Sequence, residues 1–328
     1  MTTLPVSLGD VREAQDRIAG RVRRTPMQDD EALSRRLGQP VSLKLEHRQA
    51  TGSFKLRGAT NALLSLDAGA LARGVVTAST GNHGRALAHA AREQGVRAVV
   101  CLSRLVPANK VEAARASGAE VRITGSGQDD AMVEVARAVE REGLTEIAPF
   151  DDPRVVAGQG TLGLEIVEDC PGVELVLVPL SGGGLASGVA SAVKALAPRT
   201  RVVGLSMDRG AAMAASLAAG RPVTVTEHPS LADSLGGGIG LGRITWPMCR
   251  DLLDEAVLLT EAEIAAGMRH AFHAGERIEG AAAVGIAAIL AGKVTAAGPT
   301  VVLLTGQNVD PHLHARVMAG ADGVPEPA

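Results

Sequence analysis

Tyrosine is absent from this chain, and three phenylalanines and one tryptophan complete its aromatic inventory. A core spread over 328 residues must then pack mainly through alanine, valine, leucine and glycine, which suits close helix-on-sheet layers. The same shortage removes base-stacking platforms for nucleic acid, and a net charge of −3 with an isoelectric point near 6.3 offers no basic face. Cysteine is scarce as well. Cys101, Cys170 and Cys249 are odd in number and far apart, giving neither a disulfide framework nor metal-ligand spacing. No apolar run is long enough to span a bilayer, and Asp10 stands where a signal peptide would need an uninterrupted one. A cytoplasmic chain that binds neither nucleic acid nor membrane is the expectation.

Lysine is the most telling shortage. Only Lys44, Lys55, Lys110, Lys194 and Lys293 occur among 33 basic residues, the rest being arginine. Arginine stays charged at every accessible pH, whereas an amine can lose its proton and form an imine with a carbonyl. Lys55 lies in Thr51-Gly-Ser-Phe-Lys-Leu-Arg-Gly-Ala59, after Phe54 and a Gly-Ser that reads as a turn and helix N-cap. The plain alternative is a surface lysine on the first turn of an amphipathic helix. The neighbouring motifs decide against it.

Periodicity supplies the framework. Ser7 with Asp10 forms a capping-box pair ahead of a helix that Gly20 ends, and a second helix runs from Asp29 to Leu37, stopped by Gly38. Val41, Leu43 and Leu45 alternate as a strand. From Gly74 onward short apolar runs alternate with helical patterns. Strands are predicted at 75–77, 97–102, 120–124, 174–179, 201–205, 256–259 and 300–304. Helices are predicted at 84–94, 107–117 and 128–142, and another is capped by Thr260 with Glu263. This order predicts parallel sheets covered by helices on both faces, in two α/β domains with a site between them.

Three polar loops follow predicted strands. Ser181-Gly-Gly-Gly-Leu185 suits a phosphate cup, because glycines admit close approach and helix-start amides favour an anion; a tight strand–helix turn is the alternative. Ser79-Thr-Gly-Asn-His-Gly84 offers hydroxyls, amides and a carboxamide for a small carboxylate, although a capped turn explains part of it. Thr305-Gly-Gln-Asn308 closes the last strand at the end where open α/β sheets place ligands. Asp233 to Gly240 is a further glycine-dense loop, either a site wall or a connector.

Taken in order, Ser53–Ala59, Ser79–Gly84, Gly158-Gln-Gly-Thr161 with Glu165, Ser181–Leu185, Glu279–Ala281 and Thr305–Asn308 resemble the fold-type II pyridoxal-phosphate enzymes, the threonine/serine dehydratase and serine racemase group. The resemblance implies two open twisted sheets flanked by helices, tryptophan synthase β-like. It also implies a large domain of 1–65 and 149–328 and a small α/β domain of 66–148. The implied cofactor is pyridoxal 5'-phosphate, bound to Lys55 beside Phe54. Asn82 would bond its 3-oxygen, Ser181, Gly182, Gly183, Gly184 and Leu185 its phosphate, and Thr305 its ring nitrogen, with Glu279 also in the cofactor site. Ser79, Thr80, Gly81, Asn82 and His83 would hold the substrate carboxylate.

Lys55 and Thr80 are the implied catalytic residues. Lys55 would take the Cα proton of a small β-hydroxy amino acid, the hydroxyl leaving as water and the product decaying to a 2-oxo acid and ammonia. Thr80, Ser181 and Leu231–Gly240 are similar to the hydroxyectoine-utilisation dehydratase branch, whose substrate derives from that solute. Thr80 stands where the racemase branch has serine, and its extra methyl stiffens χ1. Ser206 and Ala212 replace the acidic positions of a divalent-metal site, so no metal is expected there. The short segment after Asn308 leaves no room for an amino-acid-binding regulatory domain, and a homodimer is the family expectation. An amino-acid racemase, a β-replacement enzyme of the same fold and a non-catalytic phosphate-ligand-binding module remain as alternatives.

Overall fold

The computed structural model describes residues 4–79, 81–106, 108–240 and 242–324. Its strands are β1 (Met27–Asp29), β2 (Val41–Lys44), β3 (Val75–Ala78), β4 (Ala98–Leu102), β5 (Glu120–Ile123), β6 (Thr145–Glu146), β7 (Leu175–Pro179), β8 (Arg201–Met207), β9 (Glu255–Leu259) and β10 (Thr300–Leu303). They form a six-stranded sheet ordered β1-β2-β10-β7-β8-β9 and a four-stranded sheet ordered β5-β4-β3-β6. Every pairing is parallel except β1 with β2. Helices occupy both faces of each sheet, as the alternating pattern predicts.

The period of two along each strand sorts the core. Val176, Val178, Val301 and Leu303 pack with Leu162, Ile166 and Val189, from helices Pro153–Asp169 and Gly184–Leu196. Leu175, Leu177 and Val302 face the other way, onto Ile264 and Met268 of Glu261–His273 and Ile286 of Gly280–Leu290. In the smaller sheet Val75 and Ala98 meet Leu56 and Leu87. Val76, Val99 and Cys101 meet Ala131 and Val135 of helix Gln128–Glu142.

Small residues let three helices approach closely. A Cβ on Gly58 would lie 2.4 Å from Gln159 Nε2, and one on Gly158 would lie 2.7 Å from Gly58 Cα, so helices Lys55–Leu64 and Pro153–Asp169 cross glycine on glycine. Gly188 meets Val156 and Gly160 in the same manner. The Gly158–Thr161 motif is thus a helix crossing.

Four local expectations need correction. Asp29 belongs to β1, and Asp30 caps helix Glu31–Leu37 by accepting from Leu33 N. Helix Asn82–Glu93 begins two residues before the predicted 84. The predicted 107–117 helix spans Ala108–Ala116, and Pro107 lies outside the described residues. Ser53 is not the N-cap of the lysine helix: Phe54 occupies that position without a side-chain cap, and the buried Ser53 hydroxyl has no partner. Helix Gly280–Leu290 carries almost no amphipathic signal because it is buried nearly all round.

Charge is sunk into this framework beside the glycine crossing. The fully buried Arg57 donates to Glu46 Oε1 and Oε2, both at 2.8 Å, to Glu165 at 2.7 and 2.9 Å, and to Thr161 Oγ1 at 3.2 Å. Lys44 Nζ joins from β2, 2.8 Å from Glu165. Burial favours the neutral acid at Glu46, but the charge and hydrogen bonds of Arg57, with Thr25 and Lys44, more than offset this and hold the carboxyl below its ordinary 4.5. A carboxyl lowered by folding stabilises the native state above its ordinary value and loses that contribution as pH falls through the folded value. Stability should therefore drop as the pH goes below about 4.5. Arg57→Met, which strands two buried carboxylates, should cost about 3–5 kcal/mol by urea unfolding. Arg97→Ala at the exposed Arg97–Glu120 pair should cost under about 1 kcal/mol. Equal losses would show that burial is not what sets the scale.

Candidate active site

The C-terminal ends of β3, β7 and β10 open onto one cleft between the two sheets, a cavity of about 440 Å³. Phe54, Lys55, Ser79, Gly81, Asn82, His83, Ser181, Gly182, Gly183, Gly184, Leu185, Glu279 and Thr305 all line it. Thr80 lies outside the described residues. Motifs scattered over more than 200 positions therefore share one wall.

Lys55 opens helix Lys55–Leu64. Its turn is tied to the end of β10, since Phe54 N donates to Thr305 O at 3.0 Å and Ser53 bridges Gly306. Lys55 Nζ donates to Pro149 O at 2.8 Å. Among the described residues the other four lysines each sit within 4 Å of a carboxylate: Lys44 with Glu165 and Asp169, Lys110 with Asp233, Lys194 with Asp254 and Lys293 with Glu263. Lys55 has a carbonyl instead. Burial without an ion-pair partner lowers its amine to about 8, Glu279 opposing weakly from a distance.

The polar loop after β3 builds a relay of amides. Asn82 Nδ2 donates to Glu279 Oε1 at 2.9 Å, Asn308 Nδ2 donates to Asn82 Oδ1 at 2.6 Å, and Arg85 Nη1 donates to Asn308 Oδ1 at 3.0 Å. Burial raises the Glu279 carboxyl to about 7, helped by the charge of Asp233 and opposed by the Asn82 bond. His83 Nε2 contacts Ile147 O at 3.0 Å, which requires that nitrogen to carry the hydrogen. Its buried Nδ1 has no partner, so an added proton there would be stranded. Burial, with the nearby Lys55 charge, accordingly lowers the ring to about 3.

The glycine loop follows β7. Gly183 adopts φ 88° and caps helix Gly184–Leu196, whose start has no side-chain cap, leaving first-turn amides for an anion. A Cβ on Gly182 would lie 2.5 Å from the Phe150 ring, and one on Gly183 would press on Met213, Cys249 and Thr245. Ser181 Oγ donates to Gly236 O at 3.3 Å, bringing the Asp233–Gly238 loop over the cleft as a wall.

One segment escaped sequence reading. Residues 147–151 join β6 to helix Pro153–Asp169 and touch the lysine turn, the polar loop after β3 and the glycine loop. Ile147 binds His83, Pro149 binds Lys55 and Phe150 backs the glycine loop. Asp151 accepts from the amides of Ile244 and Thr245 at 2.9 and 3.0 Å, at the start of helix Thr245–Leu252. Three of its contacts run through backbone carbonyls or ring packing, and the only cue in the residues is Pro149-Phe-Asp-Asp-Pro153, between the predicted 128–142 helix and 174–179 strand.

These donors fit pyridoxal 5'-phosphate. The half-buried amine free of carboxylate suits its aldehyde, the helix start without a side-chain cap suits its phosphate, and the cavity matches small cofactor sites.

Residues 18–306 match the protein family described as pyridoxal-phosphate dependent enzyme. A Sinorhizobium fredii protein named "Putative threonine dehydratase" is 59% identical over 318 residues, 96% of each chain. The "L-threonine ammonia-lyase" of Geobacter sulfurreducens is 42% identical over 312 residues, 94% of this chain and 76% of that one. The solved structure of maize serine racemase aligns with a TM-score of 0.90 at 32% identity, covering 96% of this chain and 97% of that one. A half-buried lysine that shares a cleft with a glycine-capped helix start, on this topology and with these relatives, has one reading: the chain belongs to the pyridoxal-phosphate-dependent enzyme family, of the threonine dehydratase and serine racemase type.

Proposed function

We propose that the chain eliminates water from a small β-hydroxy amino acid of the threonine or serine type, yielding a 2-oxo acid and ammonia. The observation that carries this reading is Lys55, the lysine held by a carbonyl while the others are held by carboxylates. A phosphate-binding module has no use for a cleft amine lowered to about 8. Relatives support elimination over racemisation: threonine dehydratase and ammonia-lyase names go with 59% and 42% identity, a plant serine racemase with 39%.

Pyridoxal phosphate supplies the electron sink for charge developing at the substrate Cα. In this reading Lys55 Nζ, freed as a neutral amine, takes the Cα proton. Amides and side chains of Ser79–His83 hold the substrate carboxylate, and Asn82 and Glu279 orient the cofactor edge. Ser181–Leu185 bind the phosphate. The Thr305 hydroxyl, being neutral, cannot hold a full positive charge at the ring nitrogen, and this favours expulsion of the β-hydroxyl over prolonged delocalisation. Residues 66–148 would act as the small domain over a large domain of 1–65 and 149–328. We further propose a cytoplasmic homodimer. The Leu231–Gly240 wall would choose among threonine, serine and a hydroxyectoine-derived substrate.

Three outcomes test this. Borohydride reduction of the yellow holoenzyme followed by peptide mapping should place the cofactor on Lys55; a label elsewhere, or a colourless protein, would refute the assignment. Lys55→Ala should lose at least about 100-fold in elimination, the scale of a missing general base, with its urea midpoint kept. In stripped protein, cofactor attachment needs the unprotonated amine. Because folding lowers that amine, the attachment rate should rise with pH through about 8 rather than near its ordinary 10.5.

A further inference from the structure

We propose that the 147–150 segment is the receiving cradle of Lys55. The Pro149 carbonyl is where the released, protonated lysine comes to rest, and His83 is the positioning residue that holds this carbonyl in place. The inference rests on the elimination reading above and goes beyond it, because His83 there contributes only to the substrate-carboxylate loop.

Three contacts converge on four consecutive residues. Ile147 O accepts from His83 Nε2 at 3.0 Å, Pro149 O accepts from Lys55 Nζ at 2.8 Å, and Phe150 packs its ring against Gly182 and its Cα and Cβ against Gly184, where a Cβ would not fit. Ile147 N donates back to Val76 O at 3.0 Å, so the segment's start is fixed by β3 as well. Pro149 lacks an N–H and has a restricted φ, which reduces the freedom of the carbonyl that follows. A general base that has taken a proton becomes an ammonium, and in a buried site that ammonium needs an acceptor without a competing charge. A carboxylate would hold the proton too tightly for turnover. A backbone carbonyl stabilises the ammonium and still releases it.

His83 cannot be the proton carrier. Its Nε2 hydrogen is committed to Ile147, and its buried Nδ1 has no acceptor for a second hydrogen. What the ring does is span from helix Asn82–Glu93, the element that begins with the substrate loop, to the strand end that presents the lysine's acceptor. Loop and acceptor therefore move as one body. Among the described residues, the titratable groups that share the cleft with Lys55 from other elements are His83, Lys110, Glu227, Asp233 and Glu279, and of these the charge of Glu279 acts to raise its amine.

The test compares His83→Leu, which loses the donor, with His83→Gln, whose amide nitrogen can reach the same carbonyl. Pro149→Ala, which keeps the carbonyl but frees its backbone, is the third holoenzyme variant, and far-UV dichroism with Trp246 emission confirms folding. His83→Leu should lower kcat about 10–100-fold, the scale of an ångström-level misplacement, with KM nearly unchanged. Its pH midpoint for cofactor attachment should move below that of the wild type, since the ammonium has lost its aligned acceptor. His83→Gln should recover most of both, and Pro149→Ala should fall between.

A raised KM with unchanged kcat in His83→Leu would overturn the inference and make His83 a carboxylate ligand. So would a glutamine variant as impaired as leucine, or an unmoved midpoint. Should His83→Leu fail to fold, Pro149→Ala with wild-type kcat and midpoint would overturn it alone. Absence of elimination by the wild type, on every β-hydroxy amino acid tried, would instead sink the functional reading. The attachment midpoints would still judge the cradle.

Discussion

The buried guanidinium of Arg57 is the constraint on which the rest depends. It satisfies two carboxylates and a hydroxyl from two segments, the turn at Glu46 and the helix that carries Thr161 and Glu165, and neither carboxylate can leave without unbalancing charge in the core. Lys55 stands two residues earlier on the same helix, about 200° around its axis, so the two cations face opposite directions. One is sunk into the protein and the other is presented to the cleft. The ion cluster thus works as an anchor for the catalytic turn, and its cost in desolvation is offset by geometry that fixes where the amine begins.

Glycine serves packing and chemistry together in this chain. Gly58 with Gly158, and Gly160 with Gly188, bring three helices into backbone contact, so Arg57 can reach Thr161 and Glu165 across a short gap. Gly183 takes a left-handed conformation that turns the chain from β7 into a helix, while its neighbours leave space for the Phe150 ring. Ser181–Leu185 is a tight turn, because Phe150, Met213 and Cys249 leave no room for a Cβ at Gly182 and Gly183, and the helix start behind it has no side-chain cap. That this turn also cups a phosphate is the proposal made above.

Much of this was legible in the residues. Alternating apolar runs announced parallel sheets, capping boxes at Ser7 and Thr260 formed as read, and described residues of the Lys55, Ser79–Gly84, Ser181–Leu185, Glu279–Ala281 and Thr305 stretches line one cleft, whereas Gly158–Thr161 is a helix crossing. The failures have physical causes. Ser53 has the chemistry of a cap, but the strand end at Gly306 claimed its backbone and left its hydroxyl unpaired. Helices buried on every side lack the stripe that periodicity detects. The 147–151 segment acts chiefly through carbonyl oxygens and a ring face, features that no spacing of side-chain types encodes. Sequence shows which side chains are available; which backbone oxygen they meet is decided by the fold.

The pairing of the lysines has a practical side. Amine-directed labels consume unprotonated amines. Four of the five lysines lie against carboxylates, and the fifth stands in the cleft with its amine lowered to about 8. A reductive-alkylation reagent at mildly alkaline pH therefore meets an unprotonated nitrogen at the cleft itself. A mark on Lys55, blocked when the cleft is filled, reports whether the site is open.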